Sequence, residues 1–134
     1  MGDRLRLRVV TPERLLVDEE VDEMIAPGAL GEFGVLPDHI TFLGALETGR
    51  LVFKKGGSAR PLAVSGGFAE VVENVVTVLA DAAEFAEEID AERAEAALSR
   101  AQERLEELSP YSAEYEAVEA AVRRARNRLS LARP

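Results

Sequence analysis

A chain of 134 residues holds one domain, or one small domain with an appendage, and 47% hydrophobic with 31% charged residues is an ordinary globular composition. Zero cysteines exclude a disulfide framework and thiolate metal sites, and no apolar run reaches the ~18 residues of a membrane span. A net charge of −9 argues against nucleic acid, because phosphate binding draws on clustered Lys and Arg.

In chain order, Leu5, Leu7 and Val9 alternate with Arg4, Arg6 and Arg8, the period-2 pattern of a half-buried strand that Thr11-Pro12 closes. Short strands are expected around Leu15 to Val17 and Val21 to Ala26, separated by the acidic bend Asp18-Glu19-Glu20. Residues 27–37 hold three glycines and two prolines and read as short strand and turns. His39 to Glu47 reads as a loop with apolar members. Leu51-Val52-Phe53 and Leu62-Ala63-Val64 flank Gly56-Gly57, a hairpin turn, and Ser65-Gly66-Gly67 breaks the next strand as a candidate bulge. Phe68 to Val72 and Val75 to Ala80 form a last hairpin through Glu73-Asn74, asparagine tolerating the left-handed region best of the non-glycine residues. Eight to ten strands in some 85 residues imply two packed sheets or a flattened barrel.

From Asp90 the period becomes helical. Ala94, Ala97, Leu98, Ala101, Leu105 and Leu108 make one apolar stripe, and Tyr115, Val118, Val122, Ala125 and Leu129 make a second. Between them Ser109 is the expected cap and Pro110 the first position of the second helix. The expected fold is therefore α+β, with a β-sandwich over residues 1–86 and an antiparallel helical hairpin over 87–134. Alanines fill much of the hairpin seam and bury little area, so the hairpin is expected to be marginal by itself and to need a second surface.

Ile89-Asp90-Ala91-Glu92-Arg93-Ala94 joins the two halves. Asp90 is a good N-cap, with Ile89 and Ala94 at the spacing of a hydrophobic staple. Arg93 is less well placed, since a cation in the first turn opposes the helix dipole. Asp90 is therefore either a plain cap or, together with Arg93, part of a ligand site. From Glu87 to Glu119 eleven acids stand against three arginines, whereas Arg123, Arg124, Arg126, Arg128 and Arg133 follow without an acid among them. This basic tail is either a complement to a helix C-terminus or a docking site for an acidic protein surface.

Catalytic signatures are missing. Lys54-Lys55-Gly56-Gly57-Ser58 lacks the spacing and the following helix of a phosphate loop. His39 is the single histidine, no serine occupies a nucleophile elbow, and metal-ligand spacing is lacking, so no enzyme is expected and His39 reads as a structural or contact residue.

Val9-Val10-Thr11-Pro12, Gly31 through His39, Ser65 through Val71 and Asn127-Arg128-Leu129-Ser130 resemble, in order and over nearly the whole chain, the ε subunit of the F-type ATP synthase, called δ in mitochondria. The chain departs from many members at Asp38, where they have glycine. The resemblance implies a non-catalytic rotor subunit of the central stalk in a proton-translocating complex. Its β-sandwich binds the γ subunit and rests on the c ring, which Glu32, Asp38 and His39 would meet. Its hairpin packs on the sandwich when folded down; when extended it reaches along γ toward the α and β subunits and inhibits ATP hydrolysis, with Arg123 and Arg126 facing acidic segments of β. The opening stretch of the helix matches the family's Ile/Leu-Asp-x-x-Arg-Ala motif, which implies ATP as a regulatory ligand and no required cofactor. Carried over by position, the contacts are Glu84, Ile89, Asp90, Arg93, Ala94, Arg100, Arg124 and Arg128. The absence of a leader leads to the expectation of a bacterial protein, peripheral on the cytoplasmic face of the inner membrane and touching the membrane only through the complex. Competing readings are a stalk subunit that senses no nucleotide, a free coiled-coil adaptor and, most remotely, a small enzyme built on His39.

Overall fold

The computed structural model describes residues 4–134. The chain divides after Phe85 into two compact units. The first is built from ten strands: β1 (Leu5–Val10), β2 (Leu15–Val21), β3 (Glu23–Gly28), β4 (Gly31–Val35), β5 (Phe42–Leu46), β6 (Gly49–Lys55), β7 (Ser58–Val64), β8 (Gly67–Val72), β9 (Val75–Ala80) and β10 (Ala83–Phe85). They run β10-β7-β6-β3-β5-β8-β9-β1-β2 through one sheet that folds over onto itself as a nearly closed sandwich, with β4 paired to β3. Every pairing is antiparallel except β1 with β9.

Alternation places one face of each strand inside. Leu5, Leu7 and Val9 are fully buried while Arg4, Arg6 and Arg8 point out and pair with Asp18, Glu20 and Asp22. Met24, Val35, Leu51, Phe53, Leu62, Val71 and Val76 continue the same core. Two turns use the left-handed region as the sequence suggests. Gly56 (φ 63°) closes β6 to β7, and its N–H donates to the Asp22 carboxylate at 2.8 Å. Glu73 (φ 46°) and Asn74 (φ 65°) close β8 to β9 as a two-residue turn of the primed kind that suits strand twist.

Three local expectations for the first unit are corrected. Asp18-Glu19-Glu20 is no bend: it lies within β2, paired with Arg8, Leu7 and Arg6, and the break before β3 falls at Asp22. The segment from His39 to Glu47 is not all loop: Phe42–Leu46 pairs with β8 from Phe42↔Val71 to Leu46↔Gly67. Its alternation is hidden because apolar Leu43 and Ala45 occupy the outward positions. Ser65-Gly66-Gly67 is a corner between strands that are not neighbours, with Gly66 at φ 73° and Gly67 at φ 114°. The irregular register lies instead at Val9/Val10 against β2.

In the second unit, a short 3-10 turn (Ala86–Glu88) precedes α1 (Ala91–Glu107), and α2 spans Tyr115–Ala132. Pro110 does not start α2. Ser109 Oγ accepts from Tyr111 N and Ser112 Oγ from Glu114 N, both at 3.2 Å, so the two serines stabilise turns of their own and delay the helix to Tyr115. The α2 N-cap position is Glu114, which makes no side-chain cap bond. Of the two predicted stripes, Ala94, Val122 and Ala125 are buried and the rest are half-buried. Leu131, outside the predicted stripe, is buried as well.

Candidate functional site

The junction stretch folds as its sequence demands. Asp90 sits in extended backbone (φ −82°, ψ 104°), and its Oδ1 accepts from Arg93 N at 3.1 Å, which fills one of the donors the first turn leaves open. The Asp90 carbonyl takes Ala94 N at 3.0 Å, and Ile89 N donates to Ala86 O at 3.2 Å. Ile89 and Ala94, the two staple positions, are both buried. The N–H of Arg93 is thus used by the cap, while its side chain is exposed.

The remaining predicted nucleotide contacts distribute as follows. Arg93 and Arg100 are seven residues apart on α1, and Arg124 and Arg128 four apart on α2, so each pair shares a side of its helix. Ion pairs of Glu95 with Arg133 and of Arg104 with Glu114 (2.9 Å) lie toward opposite ends of the antiparallel pair, leaving Arg100 in the span that faces the stretch holding Arg124 and Arg128. Arg93, Arg100 and Arg124 are exposed and Arg128 is half-buried. Glu84 lies in the first unit, half-buried on β10 opposite Ala63, beside a Phe85 ring that carries the Arg60 guanidinium 3.8 Å above it. Arg123 and Arg126 stand apart from Arg124 and Arg128 and line an open cleft of about 620 Å³ with Gln102, Leu105, Glu119 and Val122.

The predicted contact residues Glu32, Asp38 and His39 lie near one another in sequence but not on one element: Glu32 is exposed on β4, and Asp38 and His39 fall in the turn between β4 and β5. His39 is half-buried, its Nδ1 is 2.7 Å from Ile40 O, and its ring meets Phe42 edge-on at 6.1 Å. Phe42 in turn tilts against Phe33 at 5.0 Å. Two glycines make room for these rings, since a Cβ on Gly28 would come within 2.9 Å of Phe33 and one on Gly44 within 2.7 Å of Phe42. Leu30, Leu36, Ile40 and Leu43 surround them with exposed apolar surface.

One surface escaped the sequence reading. The register places Leu15 opposite Val10, Val10 opposite Leu79, Leu79 opposite Phe68 and Phe68 opposite Ala45, a single row across β2, β1, β9, β8 and β5. It faces outward: Leu15 is 49% exposed, Leu79 56% and Phe68 57%, with Leu43 beside it at 70%. The next row carries Asp18, Arg8, Thr77 and Glu70 and ends on Leu43. The signal was present as uninterrupted apolar runs, Leu15-Leu16-Val17 and Val78-Leu79-Ala80, which a strand with only one buried face does not need. An exposed apolar row of this kind, rimmed by charge, marks an interaction surface.

Among the described residues no group of His, Asp or Glu could hold a metal ion, and no helix is long and apolar enough to cross a membrane. A sheet sandwich with an exposed apolar row, followed by an arginine-bearing helical hairpin, defines the architecture as two distinct units. Residues 4–86 match the family model described as ATP synthase, Delta/Epsilon chain, beta-sandwich domain, and residues 87–133 match the long alpha-helix domain of the same chain. The chain belongs to the ATP synthase delta/epsilon family, and it is a non-catalytic component of that complex.

It is 50% identical to the ATP synthase epsilon chain of Geobacter metallireducens over 132 residues, 98% of this chain and 96% of the relative. It is 48% identical, with the same coverage, to the epsilon chain of Geobacter sulfurreducens. Among solved structures, a chain in the cryo-EM structure of the Euglena gracilis mitochondrial ATP synthase superposes with a TM-score of 0.82 at 28% identity, covering 95% of this chain and 80% of that one. A chain of the Tetrahymena thermophila mitochondrial ATP synthase shares the fold, with a TM-score of 0.66 at 11% identity and 98% of each chain covered.

Proposed function

We propose that the chain is the central-stalk subunit that links the c ring to the catalytic head, binding γ through its sandwich and restraining ATP hydrolysis through its hairpin. The observation that carries the γ assignment is the outward row Leu15, Val10, Leu79, Phe68 and Ala45, an exposed apolar strip beside a row that carries Asp18, Arg8, Thr77 and Glu70. Burying such a strip under a partner is worth roughly 25 cal/mol per Å², and a large aromatic such as Phe68 is the expected anchor. On the same reading Glu32, Asp38 and His39 meet the c ring, Arg123 and Arg126 meet acidic segments of β when the hairpin is extended, and the subunit lies peripherally on the cytoplasmic side of the membrane.

ATP is the proposed regulatory ligand of the hairpin, with contacts at Glu84, Ile89, Asp90, Arg93, Ala94, Arg100, Arg124 and Arg128. The chemistry supports this reading: four guanidiniums on two facing helices suit a polyphosphate, and the cation that is awkward at the start of α1 becomes useful beside an anion. ATP shifts the hairpin equilibrium only by binding its folded-down state better than its extended one.

The test of the stalk assignment is co-purification with γ. Phe68→Glu and Leu79→Glu are expected to leave the isolated chain folded, because both side chains are already more than half exposed, and to abolish the complex with γ. Retention of γ by both variants would remove the row from the interface.

A further inference from the structure

The turn that carries His39 is tied to the other end of the first unit's sequence by a pair of side-chain bonds. Asp38 N donates to Asn74 Oδ1 at 2.6 Å, and Asn74 Nδ2 donates to Asp38 Oδ1 at 3.2 Å. The two residues are 36 apart in sequence. Both have left-handed backbones, Asp38 at φ 68° and Asn74 at φ 65°, where side chains other than glycine are uncommon. Asn74 is itself anchored, since it belongs to the β8–β9 turn and its carbonyl accepts from Arg6 N at 2.8 Å. The turn at Asp38 has weaker internal support: His39 N to Leu36 O at 3.2 Å, and the His39 ring against the Ile40 carbonyl. Next to it Leu36 and Ile40 are 58% and 77% exposed and gain nothing from the core.

We infer that Asp38 and Asn74 form a clasp that holds the 36–41 turn in one conformation and so presents His39 and Ile40 to a partner. The anchored residue is Asn74, and the positioned one is Asp38. Its left-handed backbone is unfavourable for a residue with a Cβ, so without the clasp the turn relaxes toward ordinary φ values and swings the neighbouring His39 and Ile40. The partner half of this statement rests on the c-ring reading given above; the clasp itself does not.

The test uses the full chain in three variants: Asn74→Ala, Asp38→Asn, and the exchanged pair Asp38→Asn/Asn74→Asp. Amide hydrogen exchange at Asp38 and His39, measured without any partner, is expected to be about tenfold faster in Asn74→Ala, the effect of losing the backbone hydrogen bond and its reciprocal. Asp38→Asn keeps both the backbone donor and a side-chain acceptor and is expected to exchange as the unaltered chain does. The exchanged pair is expected to restore protection, because a carboxylate at 74 still accepts from the backbone N–H and a carboxamide at 38 still donates to it. Exchange that is unchanged in Asn74→Ala, or protection that the exchanged pair fails to restore, overturns the clasp. Binding to detergent-solubilised c ring is expected to weaken up to tenfold in Asn74→Ala, in proportion to the lost population of the competent turn, and to recover in the exchanged pair. Failure of the unaltered chain itself to bind the c ring overturns the partner reading and leaves the exchange result to decide the clasp.

Discussion

Replacing Asp90 separates its two roles. In the free chain its side chain accepts one bond, from Arg93 N at 3.1 Å, and the residue stands at the N-cap of a 17-residue helix. Loss of that cap in Asp90→Ala costs about 1 kcal/mol. Asp90→Ser keeps a capping oxygen and is expected to cost a few tenths of that, while both changes remove the carboxylate. Chemical denaturation of the full chain measures the first effect and calorimetric titration with ATP the second. If the carboxylate contacts nucleotide, both variants bind ATP about tenfold or more weakly, although only Asp90→Ala loses stability. If Asp90 is a cap alone, Asp90→Ser binds as the unaltered chain does, and Asp90→Ala binds more weakly by no more than the fivefold that 1 kcal/mol allows. Equal ATP affinity in all three proteins would refute the contact, and an absence of saturable binding even in the unaltered chain would refute the nucleotide reading as a whole.

Gly67→Ala is expected to destabilise the sandwich by about 3 kcal/mol or more in a urea titration, because a Cβ there would lie 2.0 Å from Leu79 O and 2.8 Å from Ala80 Cα on a backbone at φ 114°. The Asp18 carboxyl is held below the usual carboxylate range by its hydrogen bond to the Arg6 guanidinium, helped by the charges of Arg6 and Arg8 against a partial desolvation. A folded value below the unfolded one stabilises above about pH 3.9 and is lost as pH falls through the folded value. An NMR titration of Arg6→Gln is therefore expected to move the Asp18 midpoint upward and to flatten that acid limb. Val122→Ala should lower hairpin stability by about 1.5 kcal/mol for two buried carbons, whereas Glu95→Gln, which breaks an exposed pair with Arg133, should change it by under about 0.5 kcal/mol; helix ellipticity against urea separates the two.

What could be read from sequence was what a single periodicity states unambiguously. Leu5, Leu7 and Val9 against Arg4, Arg6 and Arg8 gave strand, face and ion pairs together, and the switch to threes and fours after Asp90 gave the hairpin and its cap. β5 escapes the pattern because Leu43 and Ala45 are apolar on the solvent side, where they belong to an exposed apolar surface. The start of α2 was misplaced because Ser109-Pro110 is a sound helix start by local rules, and only the ST-type bonds of Ser109 and Ser112 show that the turn takes precedence. The Asp38–Asn74 clasp lay beyond sequence reasoning altogether, since it depends on two turns meeting across 36 residues. The candidate nucleotide residues were legible in their local frame, as cap, staple and arginine pairs, but a ligand's presence is not a property of spacing.

The two units differ in how their stability is built, and that difference bears on the proposed switch. The sandwich joins Leu5, Leu7, Met24, Leu51, Phe53 and Leu62 in one cluster with pairings that link distant parts of the sequence, such as β1 with β9. The hairpin relies on Ile89, Ala94, Val122, Ala125 and Leu131, two of which are alanine, and on ion pairs whose partners are all about half exposed or more. On the proposed reading, a seam whose larger members Leu98, Leu105, Val118 and Leu129 are only half-buried retains only a small preference for any one arrangement. On the proposed reading this weakness is the mechanism: a ligand or subunit contact worth a few kcal/mol is enough to change the hairpin's state, and the same contact applied to the sandwich would change nothing. A substitution that enlarges the seam without touching the arginines, such as Ala125→Leu if it packs, should then bias the hairpin toward one state and make its response to ATP shallower while leaving γ binding intact.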